Sequence, residues 1–263
     1  VFFFAAPCLV GGVIPWWVSG WAAPRFWPGF VIVAAAAFVV LRAFVRFVRE
    51  GRGTPAPVAP TEEQSGAGHS LTLTRPVRLR KLGERRFCVT GTPTDAVMMA
   101  IAHLMKDSPP DLVLSGVNRG ANLGEDVTYS GTVSAAMEGA MAGIPAIALS
   151  QAYAREGMGD TVPFAAAEAW AERVLRPIVE GGMPARTLVN VNFPALAPGS
   201  VKGIRVAAQG RHDYARLRIV QRTDPRGYDY FWFGLAPMVE TPGHMTDLEV
   251  VADGFVAVTP LHL

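Results

Sequence analysis

The stretch LVLSGVNRGANLGEDVTYSGTVSAAMEGAMAGIPAIALS, residues 112–150, decides how this chain folds. It opens on a short apolar run, residues 112–115, that reads as a buried strand ending near Gly116. A loop rich in Gly and Asn follows, and Ser130, Gly131 and Thr132 introduce a helical pattern over residues 132–142. A second apolar run, residues 146–150, closes the stretch as another strand. Strand, crossover helix and strand make a βα unit, because parallel neighbours need a connection of a dozen or more residues.

The same alternation continues on both sides. Further strands are predicted at residues 87–90, 188–192 and 255–259, and a helix at residues 164–179. A helix over residues 94–106 carries Val97, Met98, Ile101 and Leu104 on one face, with Thr92 and Pro93 suited to its N-cap and first turn. Residues 203–207 and 228–233 read as extended arms flanking the turn Asp224-Pro-Arg-Gly227. A projecting β-hairpin over residues 202–234 is therefore expected, of the kind that joins subunits. The fold class is α/β: a three-layer domain with a mostly parallel sheet and a hairpin arm.

Composition splits the chain in two. Residues 1–57 form an apolar segment in which Arg25 is the first charge, and no Asp precedes Asp95. Residues 1–21 and 26–41 are apolar enough to read as a membrane hairpin, and Arg42, Arg46, Arg49 and Arg52 follow on the side that favours the cytoplasm. Pro7, Pro15, Pro24 and Pro28 interrupt that pattern. Gly51 to Pro60 is a Pro/Gly-rich linker, which places a boundary at residue 57 with the globular part at 58–263. The formal charge of +2 does not describe a surface built to neutralise many phosphates, so nucleic acid is an unfavoured partner. Cys8 and Cys88 lie far apart and form no metal-ligand spacing, which suits a reducing compartment.

Chemistry is expected where strands end, at the carboxyl edge of the sheet. Asn118 and Asn122 stand in the glycine loop, and Ser130, Gly131 and Thr132 offer hydroxyls and free amides at the positive end of a helix, a combination suited to a phosphate. Taken singly, the asparagines are turn residues and Ser130 a helix cap. A second loop holds Ser65, Gly66, Gly68 and His69; His69 alone is more often a hydrogen-bonded loop residue than a base. Asp95 is a weak candidate whose ordinary role is at a helix start, and Asp111, Glu125 and Asp126 flank the Asn118 loop.

Several separated motifs now coincide: VAPTEEQSGAGHSLTL from Val58, TGTPTDAV from Thr90, the run from Ser115 to Ser150, and VTPLH from Val258. In that order they closely resemble the SurE family of survival proteins, metal-dependent nucleoside monophosphate phosphatases called 5'-nucleotidases. The resemblance runs from about Val58 to Leu263. It implies a Rossmann-like core, a swapped arm in a homodimer or homotetramer, a cytoplasmic location, and a magnesium or manganese ion on the substrate phosphate. Ser65 matches the family's serine metal ligand, Asn118 its asparagine ligand, and Ser130, Gly131 and Thr132 its phosphate-side turn.

One departure weighs against turnover. The family's opening strand ends in Asn-Asp-Asp-Gly, whose aspartates ligate the metal and supply the base, and no adjacent Asp pair occurs in these 263 residues. Neutral Ser65 and Asn118 leave a cation without carboxylates, and the attacking water without an activator. With the motif goes the family's first strand, so a place in the sheet is either filled by something else or left exposed. The end also reads as short, because the family continues into another helix after the VTPLH strand.

Three accounts of residues 1–57 are open: a reading-frame error ahead of an ordinary enzyme, a fusion that tethers a binding module to the inner membrane, or a pseudoenzyme that assembles through its arm. The function classes are accordingly an impaired phosphatase and a non-catalytic nucleotide-binding or assembly module.

Overall fold

The computed structural model describes residues 2–5, 55–64, 66–153, 164–211, 217–235 and 245–263. The strands of the main sheet are β1 (Phe2–Ala5), β5 (Leu112–Arg119), β6 (Ala146–Gln151), β7 (Thr187–Phe193), β8 (Ile204–Val206) and β11 (Val256–His262). Their order is β1-β5-β6-β7-β11-β8. Every neighbouring pair is parallel except β7 with β11, so the sheet is mostly parallel with one reversal. A small sheet of β2 (Val58–Pro60), β4 (Arg86–Val89) and β3 (Leu79–Gly83) stands beside it.

Alternation along the strands creates the three layers, since successive side chains point to opposite faces. Val113, Ala146, Ala148 and Leu188 join one apolar cluster with helix α1 (Pro93–Met99) and helix α2 (Gly131–Met141). Leu112, Leu114, Ile147, Leu149, Val189 and Val191 join the other, against helix α3 (Ala165–Gly181). Strands buried on both faces read as largely apolar runs, which is why residues 112–115, 146–150 and 188–192 were visible in the sequence, although Asn190 and Asn192 place two buried amides on one face of β7. Helix α2 lies very close to the sheet. Ala135, Ala136, Gly139 and Ala140 are buried there, and a Cβ on Gly139 would stand 2.8 Å from Val113 Cγ2 and 3.1 Å from Ala146 Cβ.

Helix α1 begins as its residues predict. Thr92 Oγ1 accepts from the Asp95 amide at 3.1 Å, and Asp95 Oδ2 accepts from the Thr92 amide at 2.8 Å. The predicted single helix over residues 94–106 changes register at Ala100, where a π-helical turn, Ala100–Leu104, takes over and the Met105 amide bonds to the Ala100 carbonyl at 2.8 Å.

The arm corrects the expected pairing. Residues 203–207 are not one of its strands: Ile204–Val206 is β8 and pairs with β11 at the edge of the main sheet. The hairpin joins β9 (Leu217–Thr223) to β10 (Asp229–Leu235), with Thr223 opposite Asp229. The Asp224 to Gly227 turn is where it was predicted, and Asp224 Oδ1 accepts the amides of Arg226 and Tyr228. Short helix α4 (Asp247–Ala252) follows the arm and was not anticipated.

The place in the sheet that lacked a candidate is filled from the apolar segment. Phe2–Ala5 pairs in parallel with β5, Phe2 beside Leu112 and Ala5 beside Ser115. The remainder of the suggested membrane hairpin lies outside the described residues. Among the described residues no helix is long and apolar enough to cross a membrane.

Candidate functional site

Strand β5 does not end at Ser115 as predicted but continues to Arg119, with a register shift against β6 between Ser115 and Asn118. The irregularity re-aims the strand end. Asn118 is half-buried there, and its Nδ2 donates to the Gly120 carbonyl at 2.9 Å. That bond leaves Oδ1 as the open acceptor.

Beyond Asn118 the loop is tied down by β7. The Asn122 amide donates to Asn192 Oδ1 at 2.8 Å, and its carbonyl accepts from Asn190 Nδ2 at 2.8 Å and Asn192 Nδ2 at 3.1 Å. Asn122 Nδ2 donates to Ser150 Oγ at 2.7 Å. All four residues are buried, and buried amides require such partners. Asn122 is thus a strut of the loop, in keeping with its turn role.

A 3₁₀ helix, Gly124–Tyr129, carries the chain from this strut to Ser130. Ser130 Oγ caps α2 by accepting the Val133 amide at 3.1 Å, while its hydroxyl hydrogen stays available to an anion. Among the described residues the amides of Gly131 and Thr132 have no partner. The other helix starts differ. Asp95 fills the start of α1, and Gln151 Oε1 accepts the Ala167 amide at 3.0 Å in the first turn of α3. The start of α2 therefore keeps the free donors and positive dipole end that suit a phosphate. It also abuts α1, for a Cβ on Gly131 would meet Pro93 Cγ at 2.8 Å.

The second loop lies against this start. The Gly68 amide donates to the Tyr129 carbonyl at 3.0 Å, and His69 Nε2 lies 2.5 Å from Glu138 Oε1 on α2. His69 is a strap between loop and helix. Ser65 lies outside the described residues.

Asp95 is structural. Burial raises its carboxyl, but hydrogen bonds from the Thr72 hydroxyl, the Thr92 and Thr72 amides and the Thr92 hydroxyl outweigh that, and its pKa falls below the ordinary value. Such a group contributes stability that is present above the unfolded pKa of about 3.9 and is lost as pH falls through the folded value. Asp95→Ala is expected to lower stability at pH 7 by about 1–2 kcal/mol, the worth of a cap plus its strap. Urea titrations at pH 7 and pH 3 check it: a difference that stays the same at both would overturn the assignment.

Asp111 is exposed before β5, and Glu125 and Asp126 open the 3₁₀ helix. Among the described residues no three His, Cys, Asp or Glu side chains gather as a metal would require. With Asn118 supplying a neutral oxygen, the described donors do not fit a divalent cation, which needs carboxylates to offset its charge. Reading the sequence missed Asn190, Asn192, Gln209 and Asp247, all of which hold the loop through contacts distant in the chain.

Comparison with known proteins accords with this architecture. The family model for survival protein SurE matches residues 38–216, beginning inside the apolar segment. The chain is 69% identical over 205 residues to 5'-nucleotidase SurE of Rhizorhabdus wittichii, spanning 78% of this chain and 81% of that protein. It is 58% identical over 205 residues to 5'-nucleotidase SurE of Erythrobacter litoralis, with the same coverage. The crystal structure of SurE protein from Aquifex aeolicus superposes with a TM-score of 0.69 at 39% identity, covering 84% of this chain and 87% of that one. With the family model matched over more than half of its length and these relatives 58–69% identical, the chain belongs to the SurE family.

Proposed function

We propose that this chain binds the phosphate of a nucleoside monophosphate at Ser130, Gly131 and Thr132, beside Asn118, and that hydrolysis by the residues present is impaired. The observation that carries the binding half is the start of α2, where a buried serine and two unpartnered amides face the carboxyl edge of the sheet. The impairment rests on the donor set. The sequence holds no adjacent Asp pair, and the neutral oxygens of Ser65 and Asn118 supply no charge to retain Mg²⁺ or Mn²⁺ or to activate water. The described residues thus orient a phosphate and hold it by hydrogen bonds, with no base among them aimed at an attacking water.

The arm is proposed to bring copies together as a homodimer or homotetramer in the cytoplasm. Ile219, Tyr230, Phe231, Trp232 and Phe233 stay exposed on β9 and β10, Phe233 at 77%, an apolar ribbon that self-association would cover.

One experiment separates the readings. Full-length protein is titrated with adenosine 5'-monophosphate by calorimetry, and phosphate release is followed with and without Mn²⁺ or Mg²⁺. Light scattering of the same sample reports its mass. Binding without metal-dependent turnover, in a particle of two or more chains, is the expected result. Metal-dependent release at a rate near 10 per second, the ordinary enzyme range, would overturn the impairment. Absence of any binding by nucleotide or inorganic phosphate would remove the phosphate site.

A further inference from the structure

We propose that Asp247 and Gln209 are positioning residues of the phosphate loop, acting together on Gly124; the inference rests on the reading of residues 118–132 as the anion site. Gly124 is buried, takes the left-handed conformation at φ +53°, and opens the 3₁₀ helix that ends on Ser130. Both of its peptide groups' polar atoms are held from one direction. The amide donates to Asp247 Oδ2 at 3.0 Å, and the carbonyl accepts from Gln209 Nε2 at 2.9 Å. A fully buried carboxylate is a strong acceptor, so the grip is charge-assisted.

Asp247 is itself fixed. Its Oδ1 accepts the amides of Gly210 at 2.7 Å and Leu248 at 2.9 Å, and its own amide donates to the Ala208 carbonyl at 2.9 Å. Ala208 also bridges to Thr246. The chain leaves for the arm at Gln209 and Gly210 and has returned from it at Thr246 and Asp247. Both roots of the arm therefore close on the one residue that sets where the loop begins its descent to Ser130. Neither side chain faces the phosphate amides; each acts through Gly124. The loop is anchored on the other side by Asn122, so release of Gly124 frees residues 124–132 between two remaining ties.

Gln209 is exposed, so its substitution leaves the core intact, whereas Asp247→Ala removes the partner of buried amides and endangers folding. The test therefore uses Gln209→Met, which keeps the shape and removes the donor, and Gln209→Lys, which restores a donor. Calorimetric titration of the full chain with adenosine 5'-monophosphate is paired with hydrogen exchange over residues 124–132. Gln209→Met is expected to weaken binding about fivefold to tenfold and to speed exchange in that segment alone, at unchanged melting temperature. Gln209→Lys restores both in 0.5 M salt, where its added charge is screened. Wild-type affinity and exchange in Gln209→Met would overturn the proposal. If the unmodified chain binds no nucleotide, the anion-site reading fails by itself. Exchange then still decides whether Gln209 holds the loop, with an unchanged segment counting against it.

Discussion

Gly116→Ala is expected to destabilise the fold severely, with a large drop in soluble yield and urea midpoint. Gly116 has φ +121°, and a Cβ built there would stand 2.2 Å from the Leu149 carbonyl oxygen and 3.1 Å from its carbon. Both atoms are backbone in the neighbouring strand β6, so no side chain can swing aside. Relief requires prising β5 from β6, which destroys the centre of the sheet. The cost is about 4 kcal/mol or more, against a total stability of about 5–15 kcal/mol for a domain. Gly143→Ala is the control. It has φ +77° with nothing within 4 Å of its added Cβ, so it carries only left-handed strain, about 1–2 kcal/mol. Soluble yield and urea midpoints of the two variants decide the matter. A well-folded Gly116→Ala would show that the strand end at Asn118 is placed differently.

Asn192→Asp is the second large effect. The Asn192 amide group does two jobs at once: Oδ1 accepts from the Asn122 amide, and Nδ2 donates to the Asn122 carbonyl. An ionised carboxylate keeps the first bond and sets a second oxygen against a carbonyl, at a site with no exposure to solvent. The loss is about 3 kcal/mol at pH 8, in the range of a buried charge without a partner. Burial raises the folded pKa of the introduced acid above its unfolded value of about 3.9, because the neutral form is favoured. The penalty is therefore complete above the raised value and vanishes as pH falls below 3.9. Urea midpoints of variant and parent should converge between pH 8 and pH 4. A gap that stays constant over that range would refute the grip on Asn122.

What the residues disclose by themselves depends on how far apart their partners lie. Thr92, Pro93 and Asp95 announce the start of α1, and Ser130 that of α2, because a cap bonds three residues ahead. Strands β5 and β6 announced themselves because both their faces are apolar, and β7 because Leu188, Val189 and Val191 leave only Asn190 and Asn192 polar in the run. The hairpin turn was plain in Asp224 and Gly227, but which strand its far side pairs with was not. Leu217–Thr223 and Ile204–Val206 are both short and extended, and only the main sheet's need for an edge beside β11 separates them. The loop's supports were invisible for a related reason. Asn192 and Asp247 meet Asn122 and Gly124 across 70 and 123 residues, and no local pattern marks a contact of that reach. Phe2–Ala5 shows the converse case. Four apolar residues suffice to pair with β5, yet the positions that follow them, Ala6, Pro7 and Cys8, carry no carboxylate.

The close seat of α2 on the sheet has a consequence for electrostatics. A helix packed over Leu and Ile side chains rides high, whereas Ala135, Ala136, Gly139 and Ala140 let this one sink until Gly139 almost touches Val113 and Ala146. Depth here sets range: the positive pole at Ser130 comes down toward the level of the β5 strand end, and the interaction energy of two charges scales inversely with their separation. The reach of the anion site is thus written into methyl groups and a missing methyl, on a face of the helix that carries no charge at all.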